Sequence, residues 1–246
     1  MIPASAILIT KNEERNLART LESVKDFREI VVVDADSSDR TREIAKGFGA
    51  RVFTRSFDDF SAQKNFALNQ ATGEWIFSLD ADEVPDEQLI QSIQAVLQNG
   101  AQTEAAYAVH RRNLHFGREL RWGGQGRDFP VRLFRKDRGR FTHPIHEVVE
   151  VDGKVGRLAG TLLHVSNQSV GEYLEKLSQY TGLEAQVLKQ SGKKISFWDW
   201  GFKPFARFFY TYFLRLGFLD GFEGFLFHAL SSFYLAIKYC RVSEGA

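Results

Sequence analysis

The chain has 246 residues, 43% of them hydrophobic, enough to bury a core as one large α/β domain or one domain with an appendage. Its 32 Lys and Arg balance 31 Asp and Glu, a formal charge of +1, so no overall field points to nucleic acid. The single Cys240 excludes an internal disulfide framework and fits a reducing compartment, and Met1 to Thr10 lacks the basic start of a secretory signal, so the cytoplasm is the expected location.

In chain order, SAILIT (Ser5 to Thr10) reads as a buried strand closed by the polar KNEERN. NLARTLESV places Leu17, Leu21 and Val24 at helical spacing, and EIVVVDADSSD is a second apolar strand ending in acids. TREIAKGFG is a short helix closing on Gly47 and Gly49, ARVFTR a third strand, and SAQKNFALNQATG a helix with Ser61 as its expected cap. EWIFSLDADE is a fourth strand and DEQLIQSIQAVLQNG the helix after it. This alternation predicts βαβ units around a mostly parallel sheet flanked by helices, with ligands at the carboxyl ends of the strands.

From Ala105 the pattern changes. AYAVHRRNLHFG, FPVRLFRKDRGRF, IHEVVEVDG and RLAGTLLHV read as shorter strands of mixed or antiparallel pairing. SVGEYLEKLSQYTGLEAQVLKQSG is an amphipathic helix with Tyr173, Leu174, Leu177 and Tyr180 on one face. Of the 33 aromatic residues, 17 lie between Phe197 and Tyr239, which marks a different kind of segment. The expected division is an α/β domain over 1–168, made of halves 1–104 and 105–168, and a helical extension over 169–246. Pro204, Gly217, Gly221 and Gly224 are expected to cut that extension into short helices.

Three strands end in polar or acidic residues: Thr10 with Asn12 and Glu13, Asp34 with Asp36, and Asp80 with Asp82. Asp80 and Asp82 occupy alternate positions, so in an extended segment both carboxylates face the same way and offer hard oxygen donors to Mg²⁺ or Mn²⁺. The bland alternative is that Asp82, Glu83 or Asp86 caps the following helix, which accounts for Asp86 and poorly for Asp80. A rival reading takes DADSS as the nucleophile loop of a phosphatase working from Asp34, although Ser38 stands where that family has Thr or Val.

The ordered set SAILITKNEERNLARTLESV, EIVVVDADSSDRT, AQKNFALNQATGEWIFSLDADE and RLFRKDRGRF–HPIHE resembles the family-2 inverting glycosyltransferases of the GT-A fold over nearly the whole chain. It is most similar to the bacterial subgroup that adds sugars to lipopolysaccharide core or related envelope glycans. The resemblance implies a Rossmann-like catalytic domain, a nucleotide-sugar donor (UDP-linked in this expectation), a divalent cation, and a glycan or lipid-linked glycan acceptor. It places Thr10, Asn12, Glu13 and Asp34 around the nucleoside, and Lys64, accompanied by Asn65, beside the nucleotide. Asp80 is set near the ribose and metal, and Asp82 on the metal.

Inverting transfer needs a carboxylate base across the site from the metal. Glu147 in HPIHEVVE is the candidate, with Asp128 in RDFPVRLF as substitute. His146 is assigned to the base or acceptor, His164 to the metal or diphosphate, and Arg132 to the donor, while Arg135 reads as a solvated charge.

The aromatic tail is broken by Asp199, Lys203, Arg207, Arg215, Asp220, Glu223 and Lys238, too often for a membrane span. Aromatics mixed with Lys and Arg suit a membrane interface. The expectation is peripheral attachment to the inner face of the cytoplasmic membrane, against packing on the catalytic domain or a homo-oligomer interface. The second function kept open is a non-catalytic nucleotide-sugar binder at the membrane.

Overall fold

The computed structural model describes residues 1–98, 103–145 and 147–244. Its elements are β1 (Ile2–Thr10), α1 (Leu17–Ser23), β2 (Phe27–Asp34), α2 (Thr41–Gly47), β3 (Arg51–Thr54), α3 (Phe60–Gln70), β4 (Trp75–Asp80), β5 (Glu83–Pro85) and α4 (Glu87–Gln98). There follow β6 (Ala106–His115), β7 (Arg118–Glu119), β8 (Val131–Arg135), β9 (Gly139–Thr142), β10 (Val148–Val151), β11 (Val155–Asn167), α5 (Val170–Gln190), α6 (Lys203–Phe209) and α7 (Gly221–Ser243). The chain is α/β, with the mostly parallel sheet flanked by helices and the helical C-terminal segment that its patterning predicts.

Two compact units emerge: Met1–Arg111 with Phe129–His164, and Arg112–Asp128 with the described residues from Val165 onward. The chain thus passes to the second unit four residues before the expected break at 168/169, and the segment Arg112–Asp128 belongs with that unit.

In the first unit the sheet runs β3-β2-β1-β4-β8-β6-β11-β5. β3, β2, β1 and β4 pair in parallel, whereas β8 is antiparallel to β4 and to β6. The parallel strands are apolar at successive positions because both faces are covered. Ala6, Leu8, Val32, Phe77 and Leu79 pack with Leu17, Leu21 and Ala45 of α1 and α2 and with Leu89 and Ile93 of α4. Ile7, Val31, Val33 and Ile76 pack on the other face with Ala67 and Leu68 of α3 and with Phe141 of β9.

Register brings the polar strand ends level. Thr10 pairs with Asp34 on one side of β1, and Ile9 with Asp80 on the other. Strand order reverses at β1, so this is the topological switch point where such sheets leave a crevice.

Several local expectations change. α3 begins one residue early, and its cap is Asp59, whose Oδ1 accepts from Ala62 N at 2.7 Å; Ser61 Oγ instead donates to that same carboxylate. Asp86 caps α4, accepting from Leu89 N at 2.8 Å through one oxygen and from Thr161 N and Oγ1 through the other. β11 passes this helix start closely enough that a Cβ on Gly160 would lie 2.2 Å from Leu89 N, and Gly160 has φ +89°, a combination only glycine accepts.

In the second unit, the buried stripe of α5 is Tyr173, Leu177, Thr181 and Ala185, at steps of four; Leu174 is exposed and lies off it. Asp220 holds the loop after β7 by accepting from Arg121 N and Trp122 N. Pro204 opens α6 rather than breaking it, since a first-turn N–H needs no helical partner. Gly224 sits inside α7, where a Cβ would meet Gly217 O at 2.5 Å: it permits a close approach and ends no helix.

Candidate functional site

The described candidate residues lie in the first unit, Asp128 apart. β4 ends on Asp80, and the turn after it carries Ala81 and Asp82 and is held to α1 by Thr20 Oγ1, which donates to Ala81 O at 2.8 Å. Across the sheet, β5 pairs with β11 so that Glu83 stands opposite His164. That pairing brings His164 Nε2 to 3.5 Å from Asp82 Oδ1. β11 does not end at His164 but continues to Asn167, so the histidine sits within a fixed ladder.

α3 supplies Lys64, only 2% exposed. Its Nζ lies 2.6 Å from Asp80 Oδ1 and 2.5 Å from Glu147 Oε1. Glu147 comes from the short connection between β9 and β10, which pair from Thr142 against Val148. That hairpin is fastened to α3 by the next residue along: Asn65 Nδ2 donates to Phe141 O at 2.8 Å, and Phe141 N donates to Asn65 Oδ1 at 3.1 Å. Phe60 N adds a bond to Pro144 O at 3.1 Å. Asn65→Ala should therefore cost about 1–3 kcal/mol, the penalty for leaving buried backbone groups unpaired, measured by urea unfolding, and should lower activity by loosening Glu147.

Arg132 on β8 completes the charge network. Its Nη2 donates to Asp80 Oδ2 at 2.8 Å and to Glu83 Oε1 at 2.5 Å, and Arg111 Nη1 donates to Glu83 at 3.1 Å. Arg135, three residues on, pairs with Asp137 at the surface. Burial alone would lower the Lys64 pKa, but Asp80 and Glu147 outweigh it and raise the pKa above the usual lysine value. Burial would likewise raise the Asp80 pKa, and Lys64 and Arg132 together hold it well below the carboxylate range. His164 is pushed up: burial opposes its charge, but the hydrogen bond and charge of Asp82 win. Arg132 Nε is buried with no partner among the described residues, a donor left over once the network is formed.

Asp34 behaves differently from the other acids. It is fully buried, its Oδ1 accepting from Ser37 N at 2.9 Å and its Oδ2 from Thr10 Oγ1 at 3.1 Å. It fastens the loop at the end of β2 to the end of β1, and a nucleophile directed inward in this way does not suit the phosphatase reading. Asn12 and Asp36 are open to solvent at this edge, both in the left-handed region, with φ of 55° and 56°. Such conformations persist in non-glycine residues where the surroundings hold them. Here Asn12 Oδ1 accepts from Ser38 N at 2.8 Å, and Ser37 Oγ accepts from Asn12 N at 2.8 Å. Glu13 accepts from Asn16 Nδ2, and its N donates to Thr41 Oγ1, which ties α1 to α2.

The remaining two candidates lie elsewhere. Asp128 belongs to the second unit, where Asn113 Nδ2 donates to it at 3.0 Å. His146 lies outside the described residues. Arg111 is a member of the network that patterning did not single out, and Glu83, expected only as a strand-end acid or a cap, is the buried acceptor of both Arg111 and Arg132.

The donor set suits a hard divalent cation. Asp82 Oδ1 and His164 Nε2 are close enough to share one ion, and both are largely buried on ordered elements. Among the described residues no three His, Cys, Asp or Glu side chains gather into a closed metal cage.

Residues 5–152 match the profile of glycosyl transferase family 2. The chain is 31% identical to LpsC of Rhizobium meliloti, a lipopolysaccharide core biosynthesis glycosyltransferase, over 89% of this chain and 82% of that one. It is 28% identical to an uncharacterized glycosyltransferase of Rickettsia typhi over 98% of this chain and 86% of its relative. Among solved structures, the mannosyltransferase of Pyrobaculum calidifontis in complex with GDP-Man and Mn²⁺ superposes with a TM-score of 0.57 at 14% identity, covering 98% and 87% of the two chains. At that identity the likeness is one of fold.

Proposed function

The chain belongs to glycosyl transferase family 2 and is a transferase; from that premise we propose that it moves a sugar from a UDP-linked donor to a hydroxyl of an envelope glycan such as lipopolysaccharide core, with inversion at the anomeric carbon. The observation that carries this reading is Lys64 Nζ, buried between Asp80 and Glu147 beside the Asp82–His164 pair. One cation therefore stands between a diphosphate-and-metal edge and a carboxylate suited to act as base.

In the proposed reaction the acceptor oxygen attacks the anomeric carbon from the face opposite the diphosphate. The new C–O bond forms as the bond to phosphate breaks, the nucleoside diphosphate departs, and Glu147 takes the acceptor proton. Asp82 and His164 would hold a Mg²⁺ or Mn²⁺ ion, which would supply charge stabilisation to the leaving diphosphate. Lys64 and Arg132 add fixed positive charge on the same side, where preorganised charge costs no rearrangement during reaction. Without substrate, Glu147 is neutralised by Lys64. A diphosphate competing for that lysine would release the carboxylate to serve as base, so donor binding prepares the site for the acceptor.

The acceptor class is supported by the likeness to LpsC. We place the reaction on the cytoplasmic side of the inner membrane, with peripheral attachment; among the described residues no helix is long and apolar enough to cross a membrane.

Isothermal titration of UDP with and without Mn²⁺, with GDP in parallel, tests the donor. UDP binding strengthened at least tenfold by Mn²⁺ is the expected result. Tighter binding of GDP would move the assignment to another nucleotide, and binding of neither would sink it. Binding without transfer to any acceptor would favour the non-catalytic binder.

A further inference from the structure

Between Phe197 and Phe233 the second unit turns many large apolar side chains outward, whereas α5 buries Tyr173 and Leu177 and the end of α7 buries Tyr239 and Val242. α7 buries Gly224, His228 and Ser232 at steps of four and exposes Phe222, Phe225 and Phe233. Immediately before α6, the turn of π-helix at Trp198–Phe202 buries Asp199 and exposes Trp198 and Trp200. Among the described residues, 15 of the 23 exposed large apolar side chains fall between Phe197 and Phe233. Ring contacts join part of this set: Phe208 contacts Tyr212, Phe213 and Phe225, and Tyr212 also contacts Phe218. A helix that turns small and polar groups inward and aromatics outward faces something less polar than water.

Charge points to the occupant. Between Lys193 and Arg241 there are seven Lys and Arg against three Asp and Glu, a formal local excess of +4 in a chain whose total is +1, although Lys238 is paired with Glu184. Asp199 is neutralised by Lys203 and Glu223 by Arg118. Asp220 is buried on backbone N–H groups. The cations left among the aromatics include Arg207 and Arg215, the latter lying over the Tyr210 ring. A second copy of this surface would bring like charges together, whereas an anionic bilayer attracts it and accepts Trp, Tyr and Phe at headgroup depth.

We propose that the exposed aromatic surface spanning Phe197–Phe233 is an insertion face for an anionic lipid bilayer, with Phe205 and Phe222 among the anchors and Arg207 and Arg215 at the headgroups. This deepens the peripheral placement proposed above, and vesicle partition is read apart from nucleotide binding, so either can fail without the other.

The test is co-sedimentation of the whole chain with phosphatidylcholine vesicles, with or without 30 mol% phosphatidylglycerol. Phe205 and Phe222 are 66% and 69% exposed, so the double variant Phe205→Ser/Phe222→Ser should keep its melting temperature and its UDP binding. The wild type should favour anionic over neutral vesicles. The double variant should partition at least about tenfold less, and Arg207→Gln about fivefold less, the equivalent of ~1 kcal/mol per surface cation. No binding to either vesicle, equal binding to both, or a stable dimer abolished by the Phe variants without vesicle binding would each overturn the proposal.

Discussion

Asp82→Ala should lower the rate of sugar transfer by about 10²–10³-fold, the usual cost of losing one charge-stabilising contact to a departing anion. Asp82 is buried and partners the largely buried His164. The variant should therefore also lose about 1–3 kcal/mol of stability as the imidazole loses that partner, and both proteins are to be compared well below their melting temperatures. Two measurements check it together: single-turnover transfer, and titration of UDP with and without Mn²⁺. The expected pattern is that Mn²⁺ no longer strengthens UDP binding. Transfer within tenfold of wild type, with the Mn²⁺ effect retained, would remove Asp82 from the metal site and leave His164 without its proposed task.

Glu147→Gln should produce the opposite split. Losing the base should reduce kcat by about 10²–10⁴-fold. Nucleotide binding should hold or improve, because a neutral amide competes less with the diphosphate for Lys64 Nζ than the carboxylate 2.5 Å away does. A mere loss of structure would weaken both. The control is Asp128→Asn: were it to abolish turnover while Glu147→Gln did not, the base would be Asp128, and the Lys64–Glu147 pair would be an ordinary buried ion pair. Such pairs are poor evidence of stability by themselves, so the kinetic split decides the matter.

The legible part of this site was the part written in one segment. WIFSLDADE showed a buried strand running into carboxylates, because an apolar run ending in acids has few structural uses. Asp86 was legible as a cap for the same local reason: its partner Leu89 N is three residues away. Ser61 misled because two cap-competent residues stand close together, and the extended backbone of Asp59, at φ −152° and ψ 168°, selects that one. Leu174 misled because a stripe of exact fours drifts around a helix of 3.6 residues per turn, and the neighbouring helix decides which edge of it is covered.

Arg111 was not legible at all, and Glu83 was legible only as a carboxylate at the strand end or a helix cap, not as the acceptor of two arginines. A charged residue on a strand reads as solvated until the register of its neighbours is known. Only the pairing of β5 with β11 and the insertion of β8 between β4 and β6 bring two arginines onto one buried carboxylate. Asp34 shows the converse. Its place at a strand end was plain from sequence, but that it is directed inward, holding Ser37 and Thr10, depends on a loop conformation no periodicity encodes.

By itself the sequence determined the strand–helix alternation, the acidic strand ends and the charged aromatic tail, because period and composition are properties of short stretches. Tertiary structure alone decided that Lys64 stands between Asp80 and Glu147. That lysine meets a carboxylate 83 positions away because Asn65 pins a hairpin to its helix, and contacts across such distances are set by packing, which local patterning does not carry.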